Sequence, residues 1–366
     1  MAQVPCDHES TPRLAHVMSA LCGKRSPSTV DVGTHPFPFT DRDGELGSIE
    51  GDVPMAKWAR YKELPEKKLK LLLRAGVPRH LRAEVWWYCL NAADRQKQSP
   101  QPYQGLSAPS DPKTEAEIEM DLHRTFPQSG LLAKGSERVE QLRRVLRAFA
   151  AYCPDIRYCQ GLNFVAGFCL LIFRDEERAF WAMAEMLQGR MDCGGYYGPR
   201  MLQLRRDLRV FGRVLRSVRP KVKAGLDRHC HDLSWLGTQW FVTLFTNSGL
   251  STDAVLRIWD CMVFEGWKVL FRVACAVLVM RQNLIVNAKD MGELMEATKH
   301  NLGGLPPDHL LKVAFSLGTL KRRQLQAWRT DAAKEVEVED AERDALEAKR
   351  KGPLVDTKPD GIASAQ

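Results

Sequence analysis

Residues 118–161 read IEMDLHRTFPQSGLLAKGSERVEQLRRVLRAFAAYCPDIRYCQG. Ile118, Asp121 and Arg124 recur every three residues, which predicts a helix carrying all three, stopped by Pro127 just past the arginine. Val139, Leu142, Leu146 and Phe149 then mark one face of an amphipathic helix. It runs into Pro154 and then Tyr158, Gln160 and Gly161, at the head of an apolar run. Arg124 and Gln160 are therefore expected beside helix ends, linked through an apolar hairpin.

Upstream, residues 74–90 read RAGVPRHLRAEVWWYCL. Gly76 suits a helix end and Pro78 the first turn of the next helix. Leu81, Val85 and Cys89 repeat every four residues with Trp86 beside them, so this is a junction between helices with tryptophan in its core. Residues 94–113 are expected to be a polar, proline-bearing loop. Helical patterns return over 176–188, 201–218, 237–247, 253–264 and 269–287. No stretch sustains period two, which predicts an all-α domain. The expected organisation is a poorly ordered arm over 1–52, a helical domain over 53–325, and a tail over 326–366. That tail is charged and helical to about 351, then loosely ordered.

The composition excludes several functions. With 366 residues and 44% apolar content, the chain can bury a core of ordinary domain size. Its ten cysteines form no C-x-x-C pair, and the His229–Cys230–His231 run is too tight for ordinary zinc spacing, so no metal site is expected. No apolar run reaches the roughly 18 residues of a membrane span. Asp7 and Glu9 near the start, without an apolar segment, argue against a signal peptide, and a cytoplasmic protein is expected. No G-x-x-x-x-G-K-[ST] occurs, so the chain is not itself a P-loop NTPase. The net charge of +8 favours acidic partners without choosing among them. One basic face is explicit. Leu204, Leu208, Phe211, Leu215 and Val218 form an apolar stripe, and Arg205, Arg206, Arg209, Arg213 and Arg216 lie off it. Such a face is ordinarily just solvated; the sharper expectation is peripheral contact with anionic membrane.

RAGVPRHLRAEVW, IEMDLHRTFP and YCQGLN, in that order, resemble the signature blocks of TBC domains, GTPase-activating proteins for Rab GTPases. TQWFVTLF from Thr238 and VLRIWDCMVFEG from Val255 agree, so the resemblance covers roughly residues 55–320. It implies a multi-helix fold of two helical subdomains. It implies that Arg124 and Gln160 are the catalytic arginine and glutamine, supported by Ile118, Asp121, Tyr158 and Gly161. Arg74, Gly76, Pro78, Arg82 and Trp86 match the first block, whose part in the family is mainly structural. The implied partner is a GTP-bound Rab, on endomembranes, which brings the GTP and magnesium; neither a cofactor of this chain nor nucleic acid is implied. Val77 stands in for a commoner isoleucine, and Arg157 stands where the family often has glycine.

The chemistry suits these residue types. Guanidinium stays charged and offers a planar fork to phosphate oxygens, while a glutamine amide both donates and accepts and so can orient a water. Taken alone, D-x-x-R on a helix is ordinarily a surface ion pair worth roughly 0.2–0.5 kcal/mol, and Gln160 would be an amide bonding to backbone. Cys159 is expected to be packed rather than nucleophilic, with no histidine near in sequence. A non-catalytic Rab-binding scaffold with the same fold is the alternative.

Overall fold

The computed structural model describes residues 55–351, apart from 109–110, 128, 130–131 and 133–134. The arm expected over 1–52 and the last fifteen residues lie outside the described residues. The principal helices are α1 (Glu66–Ala75), α2 (Arg82–Leu90), α3 (Pro112–Leu122), α4 (Glu137–Tyr152), α5 (Leu162–Phe173) and α6 (Glu176–Ala184). They continue as α7 (Leu202–Val218), α8 (Ser234–Val242), α9 (Thr252–Glu265), α10 (Lys268–Met280), α11 (Pro307–Ser316) and α12 (Arg322–Lys351). No strand occurs among the described residues, so the fold is all-α.

Helices α5 and α10 are largely apolar and buried on most faces, and α9 is buried on most faces too, with Arg257 and Asp260 among its buried residues. One contiguous core runs from Trp58 to Ala332. Its aromatic hub joins three helices: Trp259 of α9 stacks on Trp86 of α2 at 5.6 Å and meets Phe168 of α5 at 4.9 Å. On α4, the stripe of Val139, Leu142, Leu146 and Phe149 is buried as its periodicity predicts.

Several boundaries differ from the sequence reading. The expected loop over 94–113 contains helices Ala92–Gln98 and Tyr103–Leu106, because Tyr103 and Leu106 supply buried anchors, the former against Phe180 at 5.4 Å. The helix expected over 237–247 starts at Ser234 and stops at Val242, where Leu244 and Phe245 take left-handed backbone. The helix expected over 269–287 breaks at Arg281 into α10 and Gln282–Asn287.

The basic face of α7 is the largest correction. It is not a solvated or membrane-facing surface, because α12 lies along it. Arg205 reaches Asp340 at 2.5 Å and Glu339 at 2.9 Å; Arg209 pairs with Glu339 and Arg213 with Glu335. Arg206 turns inward to Asp207 at 2.8 Å, which leaves Arg216 as the exposed member of the set, 3.5 Å from Asp227. Beneath the ion pairs, Leu325, Ala332 and Val336 are buried. Arg329 is buried too; it donates to Asp207 at 2.6 Å and sits 3.7 Å over the Trp267 ring. The alternation of acid and alanine that reads as a free charged tail is the complement of the arginine face.

Candidate functional site

Helix α3 starts on Asp111, whose carboxylate accepts from the backbone N–H groups of Lys113 and Thr114, with Pro112 in the first turn. Ile118, Asp121 and Leu122 turn inward. The helix ends at Leu122, so Arg124 is on the turn beyond it rather than on the predicted helix. The cause is local. The Arg124 N–H closes a tight turn onto the Asp121 carbonyl at 3.1 Å, and the Thr125 hydroxyl takes the same carbonyl at 2.9 Å. Phe126 then adopts φ +46° with its ring edge-on to Phe164 at 5.5 Å. The arginine is thereby turned outward, 56% exposed, with Nη1 3.8 Å from Asp121.

Gln160 is placed by a second turn. Beyond α4, the Arg157 N–H donates to the Cys153 carbonyl at 2.8 Å, and Arg157 takes φ +56°. Tyr158 is buried, Gln160 is half-buried, and Gly161 has φ +109° immediately before α5. A Cβ on Gly161 would lie 2.4 Å from Val242 Cγ1 at the end of α8, so both backbone angle and space require glycine there.

The two turns are joined. The Tyr158 hydroxyl donates to the Asp121 carboxylate at 2.7 Å. The Gly161 N–H donates to Asn163 Oδ1 at 3.0 Å, Asn163 Nδ2 donates to Thr125 Oγ1 at 2.8 Å, and Thr125 passes the chain on to Asp121 O. Asn163 and Thr125 are each buried to within about 1% of complete, which makes this a dry bridge between the turn bearing Arg124 and the turn bearing Gln160. Burial raises the Asp121 carboxyl above its ordinary value, opposed by the Tyr158 hydrogen bond and the Arg124 charge. Burial also pushes the Cys159 thiol up to about 12, so it is a packed thiol and not a nucleophile. Sequence reasoning did not single out Asn163 and Thr125; a small polar residue within three positions after each of Arg124 and Gln160 was the signal available.

The first block ties α2 to α9. Asp260, fully buried, accepts four hydrogen bonds: from Arg82 Nε and Nη2 at 3.0 and 3.1 Å, Trp86 Nε1 at 2.8 Å and the Val77 N–H at 3.0 Å. Arg74 binds Glu265 through two nitrogens at 2.6 and 2.7 Å. Gly76 has φ +107° and would place a Cβ 2.8 Å from Arg257 Nε, while Pro78 precedes the 3-10 turn Arg79–Leu81. Asp260 was not singled out in the sequence, although a lone carboxylate inside RIWDCMVF signals a buried acceptor.

A family model described as the Rab-GTPase-TBC domain matches residues 79–286. Human growth hormone-regulated TBC protein 1 is 36% identical over 250 residues, 66% of this chain and 74% of that protein. The chain belongs to the RabGAP-TBC family. Mouse TBC1 domain family member 2A is 34% identical over 318 residues, covering 84% of this chain but 34% of that protein, so the chain spans about a third of its length. The crystal structure of the Chlamydomonas flagellar RabGAP TBC domain superposes with a TM-score of 0.64 at 29% identity, covering 72% of this chain and 90% of that one.

Within this TBC domain, Arg157 preserves the left-handed turn that glycine would adopt without strain. Replacing it with glycine should relieve a backbone cost of roughly 1–2 kcal/mol, partly offset by the freer unfolded chain. Arg157→Gly is therefore expected to gain about 0.5–1 kcal/mol, read as a higher urea midpoint with an unchanged slope; a lower midpoint would contradict it. The histidines form a polar turn: His229 Nε2 lies 3.0 Å from the Ala288 carbonyl, and His231 is exposed, 3.3 Å from Asp227. Among the described residues no group of three or more His, Cys, Asp or Glu side chains is arranged to hold a metal. No helix among them is long and apolar enough to cross a membrane.

Proposed function

We propose that this TBC domain accelerates GTP hydrolysis by a Rab-type GTPase, with Arg124 and Gln160 entering the partner's active site together. The observation that supports this reading is the buried Thr125–Asn163 bridge, which together with the Tyr158–Asp121 hydrogen bond fixes the two turns relative to each other while leaving the arginine exposed. Arg124 then neutralises charge developing between the phosphates, and Gln160 orients the attacking water. Its loose 3.8 Å approach to Asp121 suits an arginine that must exchange one carboxylate for phosphate oxygens. The partner brings GTP and magnesium, and this chain supplies no cofactor. The protein acts in the cytoplasm, on endomembranes where its partner resides.

The direct test is single-turnover hydrolysis across a panel of GTP-loaded Rab proteins. At least one is expected to be stimulated strongly; binding of the GTP form without acceleration of any Rab would identify a scaffold instead.

The bridge makes a separate prediction. Thr125→Val keeps the shape and removes the hydroxyl, so the Asn163 link is lost and the two turns are held together by the Tyr158–Asp121 hydrogen bond alone. Displacement of catalytic groups by about 1 Å costs on the order of 10²-fold. Thr125→Val should cut the maximal stimulated rate by about tenfold to a hundredfold with little change in half-saturating concentration, and Thr125→Ser should restore it. Equal rates for the valine and serine variants would assign the bridge to folding alone.

A further inference from the structure

The glycine-rich segment 191–201, which leads into α7, lies against the turn that carries Gln160. A Cβ on Gly194 would stand 3.4 Å from Ile156 Cδ1, four positions before the glutamine. Tyr197 is buried and donates its hydroxyl to the Val242 carbonyl at 2.7 Å. Val242 is the residue whose side chain closes on Gly161. The segment therefore reaches the glutamine turn directly at Ile156 and through Val242 at Gly161.

Segment 191–201 does not hold its shape unaided. Asp192, Arg200 and Met201 take φ of +47°, +60° and +49°, while Gly194, Gly195 and Gly198 do not enter that region. Left-handed backbone is strained for residues with a side chain and persists only where the surroundings over-determine it. Those surroundings are on α12. Arg200 forks onto both oxygens of Asp344 at 2.6 and 2.9 Å, with Asp340 3.8 Å away. About four turns earlier on α12, the buried Arg329 donates to Asp207 at 2.6 Å, and the same oxygen accepts the Tyr196 hydroxyl at 2.7 Å. Arg329 also stands 3.9 Å from Asp192. One helix thus grips the segment at both ends and beside its middle. An exposed ion pair such as Arg200–Asp344 adds little to global stability. Its consequence is local, because it fixes the place where two strained residues adjoin.

We propose that Arg200 and Tyr197 are positioning residues for Gln160, and that α12 acts through them as a brace. The helix seats segment 191–201, and the segment sets the glutamine turn. On the reading that Gln160 orients the attacking water, a loosened brace lowers the maximal rate and leaves affinity for the GTPase in place. A group used in the transition state has that signature when it is displaced.

The test uses the full chain. Asp344→Arg sets like charges face to face near the end of α12, beyond the buried Leu325, Arg329, Ala332 and Val336. The fold should be retained, as a thermal midpoint checks. Hydrogen exchange over residues 153–163 reads the glutamine turn with no GTPase present. Exchange there should rise in Asp344→Arg, and the swapped pair Arg200→Asp with Asp344→Arg should return it to the wild-type level. With a responsive GTP-loaded Rab, Asp344→Arg should lower the maximal rate about fivefold at unchanged half-saturating concentration, and the swap should recover it. Tyr197→Phe keeps the ring but leaves the Val242 carbonyl without its donor, and should lower the rate about tenfold. In Gln160→Ala protein neither substitution should lower the rate further. Unchanged exchange in Asp344→Arg would overturn the brace, whatever the rates. Raised exchange with an unaltered maximal rate, or an equal fall in the Gln160→Ala background, would overturn the positioning role. Failure of every Rab to respond would remove the GTPase reading itself, while the exchange result would still decide the brace.

Discussion

Replacing Arg124 with alanine is expected to lower stimulated GTP hydrolysis by a factor on the order of 10³–10⁵, the range an arginine supplied in trans contributes. The corresponding barrier change is about 4–7 kcal/mol. Stability should not follow. The side chain is 56% exposed and its nearest carboxylate is 3.8 Å away, while the turn itself is held by the Arg124 N–H, which alanine retains. Lysine should not rescue the rate, since a point charge does not reproduce the planar fork across two phosphate oxygens. Single-turnover hydrolysis beside a thermal melt separates the two quantities. Near-normal stimulation by Arg124→Ala of a responsive GTPase would remove the catalytic assignment.

The second large effect concerns which protein positions the attacking water. In Ras-type activation the GTPase uses its own glutamine and the activator adds only arginine. If Gln160 takes that role here, a Rab whose switch glutamine is changed to leucine should still be stimulated substantially. Gln160→Ala acting on wild-type Rab should then lose most of the maximal rate while its affinity for the GTP form changes little, the pattern of a group used in the transition state. The turn itself is set at Gly161, whose φ is +109° and whose N–H donates to Asn163 Oδ1 at 3.0 Å, both of which Gln160→Ala retains. The reverse pattern, an inert leucine-bearing Rab with a fully active Gln160→Ala, would leave Arg124 acting alone.

The helical class and the buried stripe of α4 were legible because apolar spacing reports burial directly, and α4 carries its pattern without interruption. The position of Arg124 was not. Spacings of three continue smoothly from Ile118 through Asp121 to Arg124, and nothing in that periodicity reveals that Thr125 returns its hydroxyl to the Asp121 carbonyl and ends the helix early. The Thr125–Asn163 contact spans 38 residues, a separation at which local pattern is silent. The same limit hid the pairing of α7 with α12. Each helix alone reads as a solvated charged surface, and only their juxtaposition turns Arg205 and Asp340 into partners. Arg157 was recognised as a departure from the family, and its left-handed backbone explains how an arginine keeps the turn.

The anchoring of α12 is graded along its length. Its first half is seated by Leu325, Arg329, Ala332 and Val336, all buried, and the buried Asp340 pairs with Arg205, whereas beyond it the grip passes to Arg200 with Asp344 near the surface. Exposed ion pairs weaken as ionic strength shortens the Debye length, and apolar burial does not. Rising salt therefore frays this helix from its C-terminal turns inward and halts at the level of the buried Asp340, so the ionic strength of the surroundings sets how much of Arg200 and the last turns is uncovered while Arg205 stays paired.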